Sequence, residues 1–208
     1  MKKLWLSILF VAMSLFAVAQ TQLSESQSQE IMASLTEAAS SMQTMQCRFV
    51  QSKTTAMLAE PSVSEGKMYF SSPDRLRWEY LIPYPFALVV NGERIVKVTD
   101  GKAEVLEGNA GRMYQGIVSM IMGSASGKKL FDTSAFDVVL YDDGAFWKAE
   151  MTPKRRDMKR MFSQLVFRFD KKSQVIDHVE FIEPKGDKTE IRFEEIRLNE
   201  EIGEEFYH

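Results

Sequence analysis

Residues 66–99 read GKMYFSSPDRLRWEYLIPYPFALVVNGERIVKVT, and the spacing of apolar side chains in this stretch decides the fold class. Leu76, Trp78 and Tyr80 alternate with charged residues. Successive side chains of a β-strand point to opposite faces, so this alternation predicts strands with one apolar and one wetted face. Asn91-Gly92 separates the expected strands 86–90 and 94–99, which is typical of a two-residue hairpin turn. The stretch therefore predicts an antiparallel meander.

The period of two continues on both sides of this stretch. Before it, Cys47 and Phe49 alternate with their neighbours, as do Met68 and Phe70 within it. The strands expected after it are 102–107, 136–141, 145–152, 162–169, 174–183 and 188–198. We count about 10–11 strands, no internal repeat and no linker, so we expect one mainly β domain with some helix.

Two segments depart from the strand period and predict helices. Helical spacing relates Ile31, Leu35, Ala38 or Ala39, and Met42, behind a Ser-rich start where Ser26 and Gln29 fit a capping box. Residues 109–123 carry Met and Ile at helical spacing beside a Gly/Ser-rich stretch, which resembles a lid. A meander of one-sided strands needs a cover for its apolar face. We therefore expect a curved sheet whose concave apolar face is covered by these helices, with any gap forming an apolar cavity.

Residues 1–19 have the features of a secretory signal peptide. Lys2 and Lys3 precede an apolar run, and Ala17-Val18-Ala19 is a small-x-small cleavage site. We expect an exported, periplasmic protein, cleaved near Ala19, with one domain over residues 20–208. Removal of the signal leaves 24 basic against 29 acidic side chains. That balance argues against a nucleic-acid partner.

Chemically reactive side chains are few. Cys47 is the one cysteine, which leaves no internal disulfide and favours a small buried side chain. We expect His178 to face solvent from a strand, and no nucleophile or metal-ligand motif accompanies it. The pairs Glu194-Glu195 and Glu200-Glu201 fit a solvated edge better than a glycosidase dyad. We expect no enzymatic activity, no metal and no cofactor.

The segment Lys154–Arg160 has the strongest local concentration of charge, with five basic side chains in a predicted loop after Pro153. Such a cluster can contact anionic headgroups or an acidic partner. It can equally be a solvated turn that discourages pairing of exposed strand edges. Both interpretations stay open.

The order of several short motifs resembles that of the LolA family, the periplasmic carriers of outer-membrane lipoproteins. The resemblance covers nearly all of residues 20–208, and it depends on order and spacing rather than on any single motif. The motifs are Phe49-Val50-Gln51, Gly66, Pro73, Trp78-Glu79-Tyr80, Pro83, Asn91-Gly92, Thr152-Pro153-Lys154 and Asp187-x-Thr189-x-Ile191-x-Phe193 followed by Asn199.

The resemblance implies an incomplete antiparallel β-barrel with a helical lid over an apolar cavity. Family members accept acylated lipoproteins from an inner-membrane lipoprotein-releasing transporter and pass them to an outer-membrane acceptor, without an enzymatic step or a cofactor. We also expect a monomer. In this chain we expect the ligand cavity to be lined by Phe49, Met68, Phe70, Leu76 and Trp78 on the sheet and by Ile117, Met120 and Ile121 on the lid.

One position departs from the family pattern. Some well-known members have an Arg directly before the residue that corresponds to Pro73, and here Ser72 takes that place. By alternation, Arg75 and Arg77 point away from Trp78 and so from the lid. In those members the Arg ties the sheet to the lid, and this contact therefore does not carry over to this chain.

Two other functions stay open because a fold does not fix its ligand. One is a carrier or sensor of another lipid, such as a phospholipid. The other is a non-enzymatic interaction module of the cell envelope, with a filled core instead of a cavity.

Overall fold

Twelve antiparallel strands form one sheet in the computed structural model, which describes residues 20–107 and 131–207. Their order across the sheet is β1-β8-β9-β10-β11-β12-β2-β3-β4-β5-β6-β7. The strands are β1 (Thr21–Gln22), β2 (Thr44–Thr54), β3 (Ser62–Ser71), β4 (Arg75–Ile82), β5 (Phe86–Asn91), β6 (Arg94–Thr99), β7 (Lys102–Val105), β8 (Phe136–Asp143), β9 (Phe146–Pro153), β10 (Gln164–Asp170), β11 (Ile176–Ile182) and β12 (Lys188–Leu198).

The sheet is open, because within the described residues β1 and β7 are its two edges and do not pair. The expected antiparallel, mainly β fold is therefore confirmed. The count of about 10–11 strands missed β1, which has two residues and is too short to show an alternating pattern.

Helix α1 (Glu25–Ser41) lies between β1 and β2 along the chain. The capping box at its start is formed by Ser24 and Gln27, not by Ser26 and Gln29. The Gln27 amide donates to the Ser24 hydroxyl at 3.4 Å, and the Ser24 amide donates to the Gln27 side chain at 3.1 Å. The Ser-rich start offers the same spacing twice, and the helix begins at the earlier pair.

The basic segment is not the simple loop that the sequence analysis predicted. Its second part forms a short helix, α2 (Arg156–Met161). The other predicted helix, residues 109–123, lies outside the described residues. Within the described part of the chain, neither helix is long and apolar enough to cross a bilayer.

Cross-strand partners lie on the same face of a sheet, so the pairing register assigns each apolar side chain to a face. One row of partners runs Cys47, Met68, Trp78, Leu88 across β2–β5. Another begins at Phe49, which faces Phe193 on β12. We call the face that carries these rows the inner face.

Two groups of buried side chains cover the inner face. The first core cluster, on β2–β6 and β12, contains Met42, Met45, Cys47, Phe49, Met68, Phe70, Leu76, Trp78, Leu88, Val90, Ile95 and Ile191. The second core cluster, on β8–β11 under α1, contains Leu35, Phe136, Leu140, Ala149, Met151, Leu165, Phe167, Phe169 and Val179. Leu35 is the buried residue of α1, and Ile31, Met32 and Ala39 of the same helix pack partly buried against the second core cluster.

The outer face is partly covered as well, which the one-sided alternation did not predict. Residues 199–207 run back across β3–β5 and end in a 3₁₀ turn. The Tyr207 hydroxyl lies 2.7 Å from that of Ser71, and the Phe206 ring packs on Tyr69 at 4.4 Å between centroids. Strand β5 is therefore buried on both faces.

Candidate functional site

The five sheet residues predicted to line a ligand cavity lie together on the inner face. Phe49, Met68, Phe70, Leu76 and Trp78 all belong to the first core cluster. Phe70 is 0% exposed and Trp78 is 4% exposed. The structure brings these residues together, whereas their role in ligand binding stays a prediction. The three predicted lid residues, Ile117, Met120 and Ile121, lie outside the described residues.

Aromatic rings form a connected layer in the middle of this face. Phe49 lies 4.3 Å from Trp78 and 5.3 Å from Tyr80 between ring centroids. Trp78 meets Phe193 edge-on at 6.1 Å, and Tyr80 stacks on Phe86 at 4.6 Å. Offset and edge-on ring pairs of this kind stabilise an apolar face beyond the area they bury.

Gly66 makes this layer possible. It faces Phe49 across the β2–β3 pair. A Cβ atom placed on Gly66 would overlap the ring of Phe49 and the carbonyl oxygen of Glu79. The ring therefore occupies the space where any other residue would place its side chain, which explains why the motif needs a glycine here.

A cavity of about 150 Å³ lies where the two core clusters meet, beneath the C-terminal half of α1. On one side it touches residues of the second cluster, and on the other it touches Met42 and the end of β12. Its lining consists of Leu35, Ala38, Ala39, Ser41, Met42, Phe169, Ser173, Gln174, Val175, Ile176, Leu198 and Asn199. A void of this size holds a group about as large as benzene.

The cavity is displaced from the residues that the sequence analysis selected. Ala38, Ala39 and Met42 were recognised there only as parts of a helical stripe. The useful signal was the pair of small residues, because alanines leave room between a helix and the sheet that larger side chains would fill. The contribution of Leu198 could not be read from the sequence, since it depends on β12 ending beside the C-terminus of α1.

Hydrogen-bonding groups on the aromatic layer are scarce. The Tyr80 hydroxyl donates to the Gln51 side chain at 3.0 Å. The Trp78 Nε1 atom is fully buried and has no acceptor among the described residues. A buried N–H without a partner lowers the stability of the fold, so an oxygen of a bound molecule that accepts from the indole would be favourable. Within the described residues, the site thus offers apolar surface and, at Trp78, a donor that lacks an acceptor.

The thiol of Cys47 is buried and poorly nucleophilic. Cys47 is a buried member of the first core cluster, as expected. Burial raises the pKa of its thiol to about 12, and a hydrogen bond from the Met68 backbone offsets this only in part. Because the thiolate is the reactive form, this side chain serves as apolar filling rather than as a nucleophile.

His178 does not face solvent, contrary to the expectation from the sequence. It lies on the outer face of β11 but is only 8% exposed. Its Nε2 atom is 3.2 Å from a carboxylate oxygen of Glu180 and 3.6 Å from one of Glu190. The ammonium of Lys188 lies 3.5 Å and 3.1 Å from the same two carboxylates. Long neighbouring side chains bury the imidazole, which alternation along one strand cannot reveal.

This group is also where a metal ion would be sought. Among the described residues, His178, Glu180 and Glu190 have ligand atoms within 4.8 Å of one another. Burial tends to raise the pKa of Glu190, but the hydrogen bond and charge of Lys188 lower it overall. The His178 Nδ1 atom has no hydrogen-bond partner in the described part of the chain, whereas metal-binding histidines usually have an acceptor there. We interpret the group as an ion-pair network between β11 and β12.

The arginines near Ser72 are engaged on the outer face, as alternation predicted. The Arg75 guanidinium pairs with Glu204 at 2.5 Å and lies 5.0 Å from the ring of Tyr207. Arg77 pairs with Glu79 at 2.6 Å. Neither arginine is available on the inner face to hold a lid closed.

The paired carboxylates are exposed to solvent as expected, but Glu194 and Glu195 lie on β12 in the middle of the sheet rather than at its edge. Glu195 pairs with Arg48 at 3.3 Å, and Glu200 pairs with Arg197 at 3.4 Å. The side chains of both glutamates are more than half exposed. Exposed ion pairs of this kind contribute little to stability and do not form an acid–base pair around a cleft.

Comparison with known proteins gives one family. A family model described as outer membrane lipoprotein carrier protein LolA matches residues 40–207. The chain is also similar to an outer-membrane lipoprotein carrier protein of Methylibium petroleiphilum. The two are 22% identical over 161 residues, which cover 77% of this chain and 75% of that protein.

Solved structures show the same fold at low sequence identity. A chain of the Pseudomonas aeruginosa MucA/MucB complex has a TM-score of 0.54 and 15% identity, over 88% of this chain and 60% of that chain. A conserved protein from Thermus thermophilus has a TM-score of 0.54 and 10% identity, over 88% of this chain and 93% of that chain. At these identities the likeness concerns the fold alone.

Proposed function

The chain belongs to the LolA family of outer membrane lipoprotein carrier proteins, and on this premise we propose that it carries lipoproteins through the periplasm with their acyl chains shielded on its inner face. The observation that supports this proposal most directly is the inner face itself. Aromatic and aliphatic side chains cover it across β2–β5 and β12, whereas the outward side chains of β2, β4 and β12 are largely polar.

The energetics require a large apolar refuge. Each CH₂ group removed from water contributes about 0.8 kcal/mol, so acyl chains leave a membrane only for a comparably apolar site. The cavity of about 150 Å³ beneath α1 is far too small for whole chains. Acyl chains that enter this cavity must therefore displace side chains or shift α1, and part of the binding energy is used for that change. This cost keeps release possible.

The proposed role requires partner proteins but no chemical reaction. We propose that the protein acts as an exported monomer, receives its cargo from an inner-membrane lipoprotein-releasing transporter and delivers it to an outer-membrane acceptor. No covalent bond is made or broken, so no catalytic residue or cofactor is required. Because Ser72, Arg75 and Arg77 offer nothing to hold a lid, we propose that apolar packing against the inner face closes the site.

The identity of the cargo is tested by what the protein carries. The protein is purified from its own periplasm, and bound molecules are identified by mass spectrometry after denaturing extraction. Acylated peptides with an N-terminal Cys would support the lipoprotein role. Phospholipid instead would make the protein a carrier or sensor of another lipid, and an empty protein would favour the interaction module.

The place of binding is tested by filling the cavity. Ala39 lines it, so Ala39→Phe should reduce the affinity for a synthetic triacylated cysteine peptide. Ser40 is exposed on the same helix, and Ser40→Phe is the matched control. We expect Ala39→Phe to weaken binding about tenfold or more and the control to change it little, with thermal unfolding confirming that both are folded. Equal binding by the two variants would exclude this cavity from the acyl site.

A further inference from the structure

Exposed apolar side chains are concentrated at one end of the sheet. Met57 is 93% exposed and Tyr84 is 80% exposed, and four other large apolar residues beside them are also exposed. We call the group of six the apolar rim. It consists of Met57, Leu58, Val63, Leu81, Ile82 and Tyr84. Single exposed apolar residues are ordinary, but six of them at one end of a sheet favour a surface that meets another body.

The pairing register places the whole rim at the same end. The β2–β3 connection spans residues 55–61, and the β4–β5 connection spans residues 83–85. Val63 pairs with Ser52 close to the first connection, and Ile82 pairs with Glu65 close to the second. The rim therefore extends over the tips of two neighbouring hairpins.

The next connections along this end carry the basic segment. The tip of β2–β3 is tied to β11–β12, because the Ala56 amide donates to Asp187 at 3.3 Å. Ser163, just after α2, donates its amide to the Ile182 carbonyl at 2.7 Å. The order along this end is thus apolar rim, β11–β12 connection, α2.

Three cations of α2 are available for binding. Lys154 pairs with Asp137, and Arg155 pairs with Asp157. The exposed side chains of Arg156, Lys159 and Arg160 form no ion pair with other described residues.

The two ends of the sheet differ in charge. The connections at the rim end, taken between described strands, hold six Lys and Arg against five Asp and Glu. Those at the opposite end, together with residues 199–207, hold two against six. An anionic surface therefore repels the opposite end and attracts the rim end.

We propose that the rim end docks on an anionic lipid surface, with the apolar rim entering the headgroup region and α2 contacting the phosphates. Apolar side chains on narrow hairpin tips, flanked by free cations, combine the two attractions that hold a protein at a membrane interface. The rim side chains project from two separate connections rather than forming one flat apolar area, which suits insertion among headgroups better than packing against a protein partner. The proposal goes beyond acyl binding and concerns the protein without cargo.

Vesicle flotation tests the proposal with cargo-free protein. We expect binding to vesicles of phosphatidylethanolamine and phosphatidylglycerol that falls with added salt. The double variant Met57→Ser/Tyr84→Ser should raise the lipid concentration for half-binding about tenfold. Its matched control is Val105→Ser, which alters an exposed apolar side chain on the edge strand β7 and should leave binding within about twofold.

Charge reversal tests the contribution of α2. Arg156→Glu/Arg160→Glu should remove most of the difference between anionic vesicles and phosphatidylcholine vesicles. Its control, Lys172→Glu, changes an exposed cation at the opposite end and should have little effect. Circular dichroism of all variants separates loss of binding from loss of fold.

Three results would overturn the proposal. The wild-type protein could fail to float with anionic vesicles, or the rim and control variants could behave alike. Alternatively, sedimentation velocity could show a dimer that Met57→Ser/Tyr84→Ser disrupts, which would make a second copy the occupant of the rim. None of these results bears on binding of the triacylated peptide, so this proposal and the carrier function fail separately.

Discussion

Cys47 reports whether the first core cluster is closed. Its pKa of about 12 leaves almost no thiolate at neutral pH, and the side chain is buried. We expect no alkylation by iodoacetamide in the native protein and complete alkylation in urea, measured by mass spectrometry. A Ser40→Cys variant provides an exposed thiol as the control and should react readily under native conditions. Equal rates at the two positions would mean that the cluster opens frequently in solution.

Trp78 has a buried N–H that can recognise an oxygen of the cargo. Acyl chains of lipoproteins are joined through ester and amide carbonyls, and an indole N–H donates to such oxygens. We expect Trp78→Phe to bind a diacylated peptide with ester linkages several-fold more weakly than the wild-type protein does, since a net hydrogen bond contributes about 0.5–1.5 kcal/mol. An ether-linked analogue, which lacks the ester carbonyls, should bind both proteins more nearly alike. If the substitution weakens both ligands equally, the ring acts through packing alone.

At the scale of elements, alternation was informative because each strand of the meander has one apolar face. The predicted bounds of β6 and β12 agree with those observed, and the alternation along β4 places Leu76 and Trp78 on the inner face. Burial that depends on distant elements could not be predicted from the same pattern. Residues 199–207 cover the outer face of β5, and neighbouring long side chains bury His178.

The candidate site was predictable to a similar extent. The period of two selected Phe49 and Trp78 of the aromatic layer, together with Met68, Phe70 and Leu76. It did not select Phe86 and Phe193. It did not locate the cavity beneath α1, since that space depends on how the helix lies against strands distant in sequence. The sequence analysis noted Gly66 as part of a motif, but only the structure shows that glycine is needed there because the ring of Phe49 fills the space of a side chain.

The C-terminal segment should detach in alkali. Burial raises the pKa of Tyr207, although its hydrogen bond with Ser71 and the charge of Arg75 oppose this. Below the ordinary tyrosine pKa of about 10 the hydroxyl is neutral in both states, so docking is fully stable. Above a pH of about 10, the Tyr207 hydroxyl loses its proton more easily in the detached segment than in the docked one. Docking of residues 199–207 therefore weakens as the pH rises towards the pKa of Tyr207 in the folded protein. Urea unfolding at increasing pH should show this loss. Tyr207→Phe should be less stable at neutral pH but less sensitive to alkali, and an unchanged pH dependence would contradict the assignment to Tyr207.

At the scale of the whole molecule, the sheet is joined in its middle by strands far apart in sequence. Strands β12 and β2 occupy the sixth and seventh of its twelve positions. All of β3–β7 lie on one side of this pair and β8–β11 on the other. Each side has its own core cluster, and Phe181 and Phe193 pack against both clusters. Cooperation between the two sides therefore depends on the β12–β2 pair and on these bridging rings.

Removing a bridging ring should make the two sides unfold separately. Trp78 and Trp147 lie on opposite sides of the β12–β2 pair. In protein lacking residues 1–19, the Trp147→Phe background leaves the fluorescence of Trp78 to report on one side. The Trp78→Phe background leaves that of Trp147 to report on the other. We expect coincident urea transitions in the otherwise unchanged protein, because one continuous inner face couples the clusters. Phe193→Ala creates a cavity at the junction and should separate the two midpoints. The control Phe86→Ala truncates a ring that packs on the first cluster only, and it should shift both midpoints together. Coincident transitions in Phe193→Ala would show that backbone pairing of β12 with β2 is sufficient to couple the two sides.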